Sequence, residues 1–89
     1  LGFELYQNYP NPANPSTEIR YRISEVSRVV LMVYDLLGRE VATLVDGVQD
    51  AGQYNYHFST NNVQLSTGVY LYRLSVNGKS AVKKMILLK

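Results

Sequence analysis

Few residues of this chain could take part in catalysis or metal binding, and they are scattered along it. His57 is the only histidine, and there is no cysteine. One imidazole without a positioned partner forms neither a catalytic triad nor a metal site. Asp35, Asp46 and Asp50 fall in predicted turns, where aspartate commonly binds its own backbone, and their spacing matches no calcium-binding loop. The sequence therefore predicts no catalytic residue, no metal site and no cofactor.

Carbohydrate binding is the other chemistry to consider, because small β-sandwiches often act as sugar-binding modules of hydrolases. Such modules stack sugar rings on exposed aromatic side chains. The chain has eight tyrosines and no tryptophan. Most of the tyrosines share the inward phase of the predicted strands, which leaves Tyr6, Tyr9 and Tyr34 as exposed candidates. A carbohydrate-binding or structural accessory β-sandwich module of a secreted hydrolase is therefore one alternative.

Length and composition predict a single domain over residues 1–89. A chain of this size buries roughly 60–68% of its unfolded surface, and its 46% of hydrophobic residues suffice for such a core. The net charge is +2 and most basic residues are scattered, unlike the basic stripe of a nucleic-acid-binding protein. No apolar run approaches the roughly 20 residues of a membrane span. Because the chain begins at Leu1 rather than Met, we expect it to be excised from a longer secreted protein.

Alternating apolar and polar residues predict seven short strands. In residues 17–23, for example, Ile19, Tyr21 and Ile23 point to one face and the residues between them to the other. Turn signals recur about every 8–12 residues, and no segment has a helical period. The pattern predicts an all-β fold, a seven-stranded antiparallel immunoglobulin-like β-sandwich with Greek-key connections. The predicted core includes Ile19, Tyr21, Leu31, Val33, Tyr56, Phe58, Tyr72 and Leu74.

The connections between the predicted strands have their own signals. Three prolines interleaved with asparagines in residues 8–15 predict a stiff, extended crossover. Gly38 is expected at positive φ in a tight turn. The strand after it is predicted from Arg39 to Val45, followed by a short loop ending at Gly52. Asn77 and Gly78 predict a two-residue hairpin before the last strand.

Two positions leave alternatives open. The Tyr70 hydroxyl could bind a nearby backbone group as a tyrosine corner, or Tyr70 could be an ordinary core residue. Val30, Met32 and Tyr34 make the outer face of the third predicted strand unusually apolar. That face is either a contact surface for a neighbouring domain or partner, or is covered by loops of the domain itself.

Four segments, taken together, resemble the C-terminal sorting domain of the type IX secretion system. They are residues 8–17 (NYPNPANPST), 33–41 (VYDLLGREV), 66–74 (STGVYLYRL) and 83–89 (KKMILLK). The resemblance extends from about Tyr6 to Lys89 and departs at Ala13, where an aromatic residue is frequent in the family. This family, the Por secretion system type A sorting domain, is also similar to the immunoglobulin-like domain of flagellar hook-capping proteins, which is a second alternative.

The resemblance implies a sorting role without catalysis. A cargo protein carries such a domain last, crosses the inner membrane by a separate signal, and is recognised in the periplasm by outer-membrane translocon components. A surface peptidase commonly removes the domain, and the cargo is anchored at the cell surface or released. Neither nucleic-acid binding nor stable membrane insertion is implied. By residue-wise transfer, the recognition candidates are Gly68, Tyr70, Arg73, Lys83, Lys84, Met85 and Lys89.

The last predicted strand, from about Lys79 to Leu88, also has a purely structural interpretation. Its lysines are typical of an edge strand, where they discourage strand addition by another molecule. We expect both properties together, namely an edge strand whose exposed flank is read by a translocon component.

Overall fold

The computed structural model describes residues 2–59 and 65–88, in which strands are joined by turns and extended segments. The strands are β1 (Phe3–Leu5), β2 (Ser16–Ile23), β3 (Ser27–Tyr34), β4 (Glu40–Gln49), β5 (Gly52–Ser59), β6 (Gly68–Val76) and β7 (Lys79–Leu87). One sheet has the order β1-β2-β5, and the other has the order β4-β3-β6-β7. All strands within each sheet pair antiparallel. The predicted all-β, seven-stranded antiparallel sandwich is confirmed.

The core lies between the two sheets and is filled by one face of each strand. In β2, for example, Ile19, Tyr21 and Ile23 are buried while Arg20 is exposed. Burying each large apolar side chain stabilises the fold by about 1.5–3 kcal/mol. The predicted core set is buried with one exception: Tyr56 is half-buried and packs against the core from β5, which is an edge strand.

The strand β4 is longer than the sequence predicted. The loop expected after Val45 is instead a continuation of the strand to Gln49. Asp46 and Gly47 are typical turn residues, but both pair with β3 here, and the Asp46 carboxylate forms an ion pair with Arg28. The β3–β4 pairing has two register shifts, at which Leu44 and Val41 of β4 have no paired residue on β3. One extra residue on one strand at each shift is the arrangement of a β-bulge. Pairing across the sheet therefore overrides the local turn preference.

The turn between β3 and β4 has the predicted chemistry. Gly38 lies at a φ of 85°, in the left-handed region that glycine enters without strain. The Asp35 carboxylate accepts hydrogen bonds from the backbone N–H groups of Leu37 and Arg39, at 2.9 and 3.0 Å. These bonds, with Arg39 contributing most, hold the pKa of Asp35 below its ordinary value. The carboxylate therefore fixes the turn at neutral pH.

Other local predictions near β6 and β7 are also confirmed. Asn77 and Gly78 take φ values of 50° and 86° and connect β6 to β7 as a two-residue hairpin. The Tyr70 ring is buried and its hydroxyl donates to the Ser66 carbonyl at 2.7 Å. Tyr70 is thus a core residue that also makes the backbone contact expected of a tyrosine corner. Leu65, which precedes β6, is also buried in the core.

The proline-rich segment between β1 and β2 leaves the three-stranded sheet, contacts the edge of the other sheet, and returns to the first. Near its start, Tyr9 exchanges two backbone hydrogen bonds with Glu18 of β2, at 3.0 and 2.8 Å. Near its end, Ala13 forms a parallel bridge with Leu87 of β7. The segment is therefore the predicted connection between strands, and its contacts with β2 and β7 link the two sheets at this side of the sandwich.

A buried polar network holds the start of this segment. The Asn8 backbone N–H donates to the Tyr72 hydroxyl at 2.8 Å, and that hydroxyl donates to the Tyr6 carbonyl, also at 2.8 Å. The Asn8 side-chain amide donates to the Thr17 hydroxyl at 3.0 Å, and that hydroxyl donates to the Pro10 carbonyl at 2.8 Å. Because burial disfavours the tyrosinate, the pKa of Tyr72 rises to about 12. The network joins β2, β6 and the crossover through side chains far apart in sequence.

Candidate recognition surface

The free edge of β7 is partly covered by the chain itself. The Ala13 N–H donates to the Ile86 carbonyl at 2.8 Å, and the Leu88 N–H donates to the Ala13 carbonyl at 2.9 Å. The Asn11 side-chain oxygen accepts the Ile86 N–H at 3.1 Å. The prediction of an exposed flank is therefore wrong for this part of β7, because residues 11–13 take up its hydrogen-bonding groups.

Three of the predicted recognition residues serve the fold. Met85 is fully buried in the core, so the expectation that a partner contacts its side chain is wrong for the folded domain. Tyr70 is buried with its hydroxyl bound to the backbone, as described above. Gly68 opens β6 opposite Leu87.

The lysines near the end of the chain differ in their surroundings. Lys83 pairs with Tyr72 across β6 and β7 and is half-buried on the inner side of the sheet. An inward-pointing charge on an edge strand discourages strand addition by another molecule. Lys84 points outward and is exposed. Lys89 lies outside the described residues.

The outer side of β6 and β7 carries apolar and basic side chains together. Leu71 lies opposite Tyr34 on one side and Lys84 on the other. Arg73 lies opposite Val82, and its guanidinium carbon is 5.0 Å from the centre of the Tyr34 ring. We call the surface formed by Tyr34, Leu71, Arg73, Val82 and Lys84 the apolar–basic face.

A shallow groove runs across the apolar–basic face. Its volume is about 270 Å³, and it is lined by Tyr34, Gly38, Leu71, Arg73 and Val82. Val82 is 54% exposed despite its apolar side chain. The Tyr34 hydroxyl is buried and has no hydrogen-bond partner among the described residues. The groove is therefore apolar at its base, with cations around it.

The cations of this face lack acidic partners. The ion pairs within residues 2–59 and 65–88 join Arg22 to Glu4, Arg28 to Asp46, Arg39 to Asp35 and His57 to Glu18. Arg73 and Lys84 take part in none of them. A partner with carboxylates around an apolar centre would complement both features.

The apolar outer side of β3 is only half-covered. Val30, Met32 and Tyr34 are half-buried. Among their neighbours, the Thr43 hydroxyl donates to the Met32 sulfur at 3.3 Å, and Arg73 lies over Tyr34. Among the described residues, the side chains that contact Met32 and Tyr34 in this way belong to adjacent strands rather than to loops. Sequence analysis identified Tyr34 and Arg73 but missed Leu71 and Val82, whose outward phase was the available signal.

The polar residues considered for catalysis lie on the surface. His57 is exposed and pairs with Glu18, with 2.6 Å between Nδ1 and the carboxylate. In the described part of the chain, no group of three His, Cys, Asp or Glu residues is placed to hold a metal ion. No helix long and apolar enough to span a membrane is found among those residues.

Comparison with known proteins identifies the class of this domain. The family model described as the secretion system C-terminal sorting domain matches residues 7–88. The chain therefore belongs to this family of sorting domains. A solved structure, dimeric latent PorU from Porphyromonas gingivalis, is similar with a TM-score of 0.74 and 26% identity, over 97% of this chain and 9% of that protein. No match is found among curated proteins.

Proposed function

We propose that this chain is a non-catalytic C-terminal sorting domain that directs an attached cargo protein through the outer membrane by the type IX secretion system. The observation that carries the proposal is the family match over residues 7–88. The similarity to 9% of latent PorU supports a module carried within a longer chain. Family membership supports export of the attached protein to the cell surface or its release. Passage of the cargo through the periplasm before that step is part of the proposal.

The apolar–basic face is the surface on which the translocon would recognise the folded domain. Covering Leu71 and Val82 removes apolar area from water, which favours binding by about 25 cal/mol per Å². Arg73 and Lys84 gain partners if the opposing surface is acidic. Gly68, Tyr70, Lys83 and Met85 would then act indirectly by shaping the strands beneath this face. Removal of the domain by a surface peptidase would follow export.

A fusion experiment tests whether the domain is sufficient for sorting. A reporter protein with an N-terminal signal peptide is fused ahead of residues 1–89 and expressed in a bacterium with a working type IX system. We expect the reporter at the surface or in the medium, and in the periplasm of a strain that lacks the translocon. Leu31→Asp, which places a charge in the core, provides an unfolded control. A folded fusion that stays in the periplasm of both strains would contradict the proposal.

A further inference from the structure

The outer side of the three-stranded sheet contains a second groove, which the sorting role does not use. The Tyr6 N–H donates to the Arg20 carbonyl at 3.0 Å, and Arg20 lies opposite Asn55 in the β2–β5 pairing. These residues form a row across the sheet, and Gln53 lies beside them on the same side. The groove has a volume of about 550 Å³, within the range of small-molecule sites. We call it the Tyr6 groove; it is lined by Tyr6, Arg20, Tyr21, Gln53, Tyr54 and Asn55.

The charged side chains on either side of the Tyr6 groove are already paired. Arg22 binds Glu4 at 2.5 Å on one side, and His57 binds Glu18 at 2.6 Å on the other. The Glu4 carboxylate raises the pKa of Arg22 above its ordinary value, mainly by accepting its hydrogen bond. The polar side chains on both sides of the groove therefore have partners within the domain.

Within the groove, by contrast, the polar side chains are free to bind. The side chains of Arg20, Gln53 and Asn55 are exposed and make no hydrogen bond or ion pair with the described residues. Together they offer a guanidinium with five N–H donors and two amides that both donate and accept. A ligand with many hydroxyl groups can replace the hydrogen bonds that water makes to these side chains with hydrogen bonds of its own.

An aromatic ring lies beside these polar groups. Tyr6 is half-buried, and the Arg20 guanidinium carbon is 5.8 Å from its ring centre. Sugar rings present C–H groups on their faces and hydroxyls around their edges, so they suit an aromatic ring next to amides. The planar guanidinium of Arg20 has the geometry to bind a carboxylate through two parallel hydrogen bonds.

Other ligand classes fit the Tyr6 groove less well. A nucleic acid requires several cations along its phosphates, whereas Arg20 is the one unpaired cation lining this groove. An extended peptide adds to the edge of a sheet rather than to its face. We propose that the Tyr6 groove binds an acidic glycan, with Tyr6 against a sugar ring, Arg20 on a carboxylate, and Gln53 and Asn55 on hydroxyls. This inference goes beyond the sorting role and does not depend on it.

The test uses two glycans with the same sugar backbone, one with ionised carboxylates and the other with neutral methyl esters. Oligogalacturonate and its fully methyl-esterified form are titrated into the 89-residue chain, with calorimetry for affinity and backbone amide NMR for location. We expect the acid to bind at least about tenfold more tightly than the ester, because a charged hydrogen bond is lost in the ester. The amide shifts should concentrate at Tyr6, Arg20 and Asn55.

Variants identify the residues responsible. Tyr6→Ala keeps the backbone groups that bind Arg20 and Tyr72, and Arg20→Gln removes the guanidinium charge and its paired N–H donors while keeping a polar side chain; each should weaken binding of the acid about tenfold or more. Arg28→Gln, an exposed arginine on the other sheet, is the matched control and should leave affinity unchanged. The melting temperature of each variant verifies that it is folded. If Tyr6→Ala is unstable, the affinity of Arg20→Gln and the location of the amide shifts test the proposed site without it.

Three results would overturn the proposal. The first is that the wild-type chain binds neither glycan. The second is that the ester binds as well as the acid. The third concerns the backbone amide shifts caused by the acid: they lie outside the groove, or they are the same in the Arg20→Gln variant as in the wild type. Export of cargo carrying Arg20→Gln should remain normal, so failure of this proposal is distinguishable from failure of the sorting proposal.

Discussion

The two outer faces of the sandwich differ in how their charges are satisfied. On the three-stranded sheet, Arg22 and His57 have carboxylate partners, and the polar groove between these two pairs contains one cation, Arg20, without such a partner among the described residues. On the four-stranded sheet, Arg73 and Lys84 have no carboxylate partner within residues 2–59 and 65–88, and they border an apolar groove. The first surface suits a small hydrophilic ligand, whereas the second has both apolar area and charge left for a macromolecular partner.

This difference indicates where the domain meets other molecules. Exposed apolar side chains are common singly on protein surfaces, so Val82 alone would mean little. What distinguishes the apolar–basic face is that Val82 lies near Leu71, near Arg73 and near a Tyr34 hydroxyl that has no hydrogen-bond partner in the described part of the chain. If the translocon recognises the apolar–basic face, as proposed, the Tyr6 groove remains available for another ligand.

The largest effect is expected from Met85, which lies beneath the surface of the domain. Met85→Ala should lower the free energy of unfolding by about 2–5 kcal/mol, because it leaves a cavity at a fully buried site. Urea denaturation measures this. Unchanged stability combined with lost export would show that Met85 contacts a partner directly. That result would contradict the division between residues that build the fold and residues on its outer faces. Deleting residues 85–89 is less informative, since it also removes the buried Leu87.

Tyr72 connects the sheets through its hydroxyl, so its loss should affect the whole domain. Tyr72→Phe leaves the Tyr6 carbonyl and the Asn8 N–H without this partner and should cost about 1–3 kcal/mol. The wild-type pKa is raised from 10.0 to about 12, mainly by burial. Since the folded state favours the protonated form, its stabilisation is complete below the unfolded pKa and is lost as pH rises through the folded value.

Thermal unfolding measured across this alkaline range checks the second part of the prediction. The melting temperature of the wild type should fall more steeply with pH than that of Tyr72→Phe. Some dependence should remain in the variant, because desolvation also raises the pKa of Tyr21. Equal slopes for the two proteins would contradict the role given to the Tyr72 hydroxyl.

Gly38 lines the groove of the apolar–basic face and not the Tyr6 groove, so its variants change one of the two faces. Its φ is 85°, and a Cβ built there meets no atom within 4 Å, so any penalty comes from the backbone. Gly38→Val should cost about 1–3 kcal/mol. Gly38→Asn, which tolerates this conformation better, is the control and should cost less. Melting temperatures of the two variants that agree within a degree or so would show that backbone strain is unimportant here.

Local chemistry made much of the fold predictable from sequence. The period-two pattern located the strands, and Gly38, Asn77 and Gly78 identified their turns because each needs positive φ. The extension of β4 was not predictable, since Asp46 and Gly47 signal a turn unless their partners on β3 are known. The cover of β7 was likewise not predictable, because it depends on a contact between Ala13 and Leu87, which are 74 residues apart in sequence.

The candidate site was predicted less completely than the fold. Family resemblance selected residues 66–74 and 83–89, but it could not separate residues that build the domain from those on its surface. Met85 and Arg73 occur in these same motifs, yet one is buried and the other exposed. Alternation along the strands carries this distinction, and it also places Leu71 and Val82 on the outer side.

Export of charge-reversed cargo tests the sorting role of the apolar–basic face most directly. Arg73→Glu and Lys84→Glu are introduced together into the complete protein in its native host, with Lys79→Glu on the same strand as the matched control. Exposed charges usually change stability by no more than about 0.5 kcal/mol, so melting of the purified domain should be nearly unchanged. We predict that most of the doubly reversed cargo stays in the periplasm while the control reaches the surface. Normal surface delivery of the doubly reversed cargo would contradict the account.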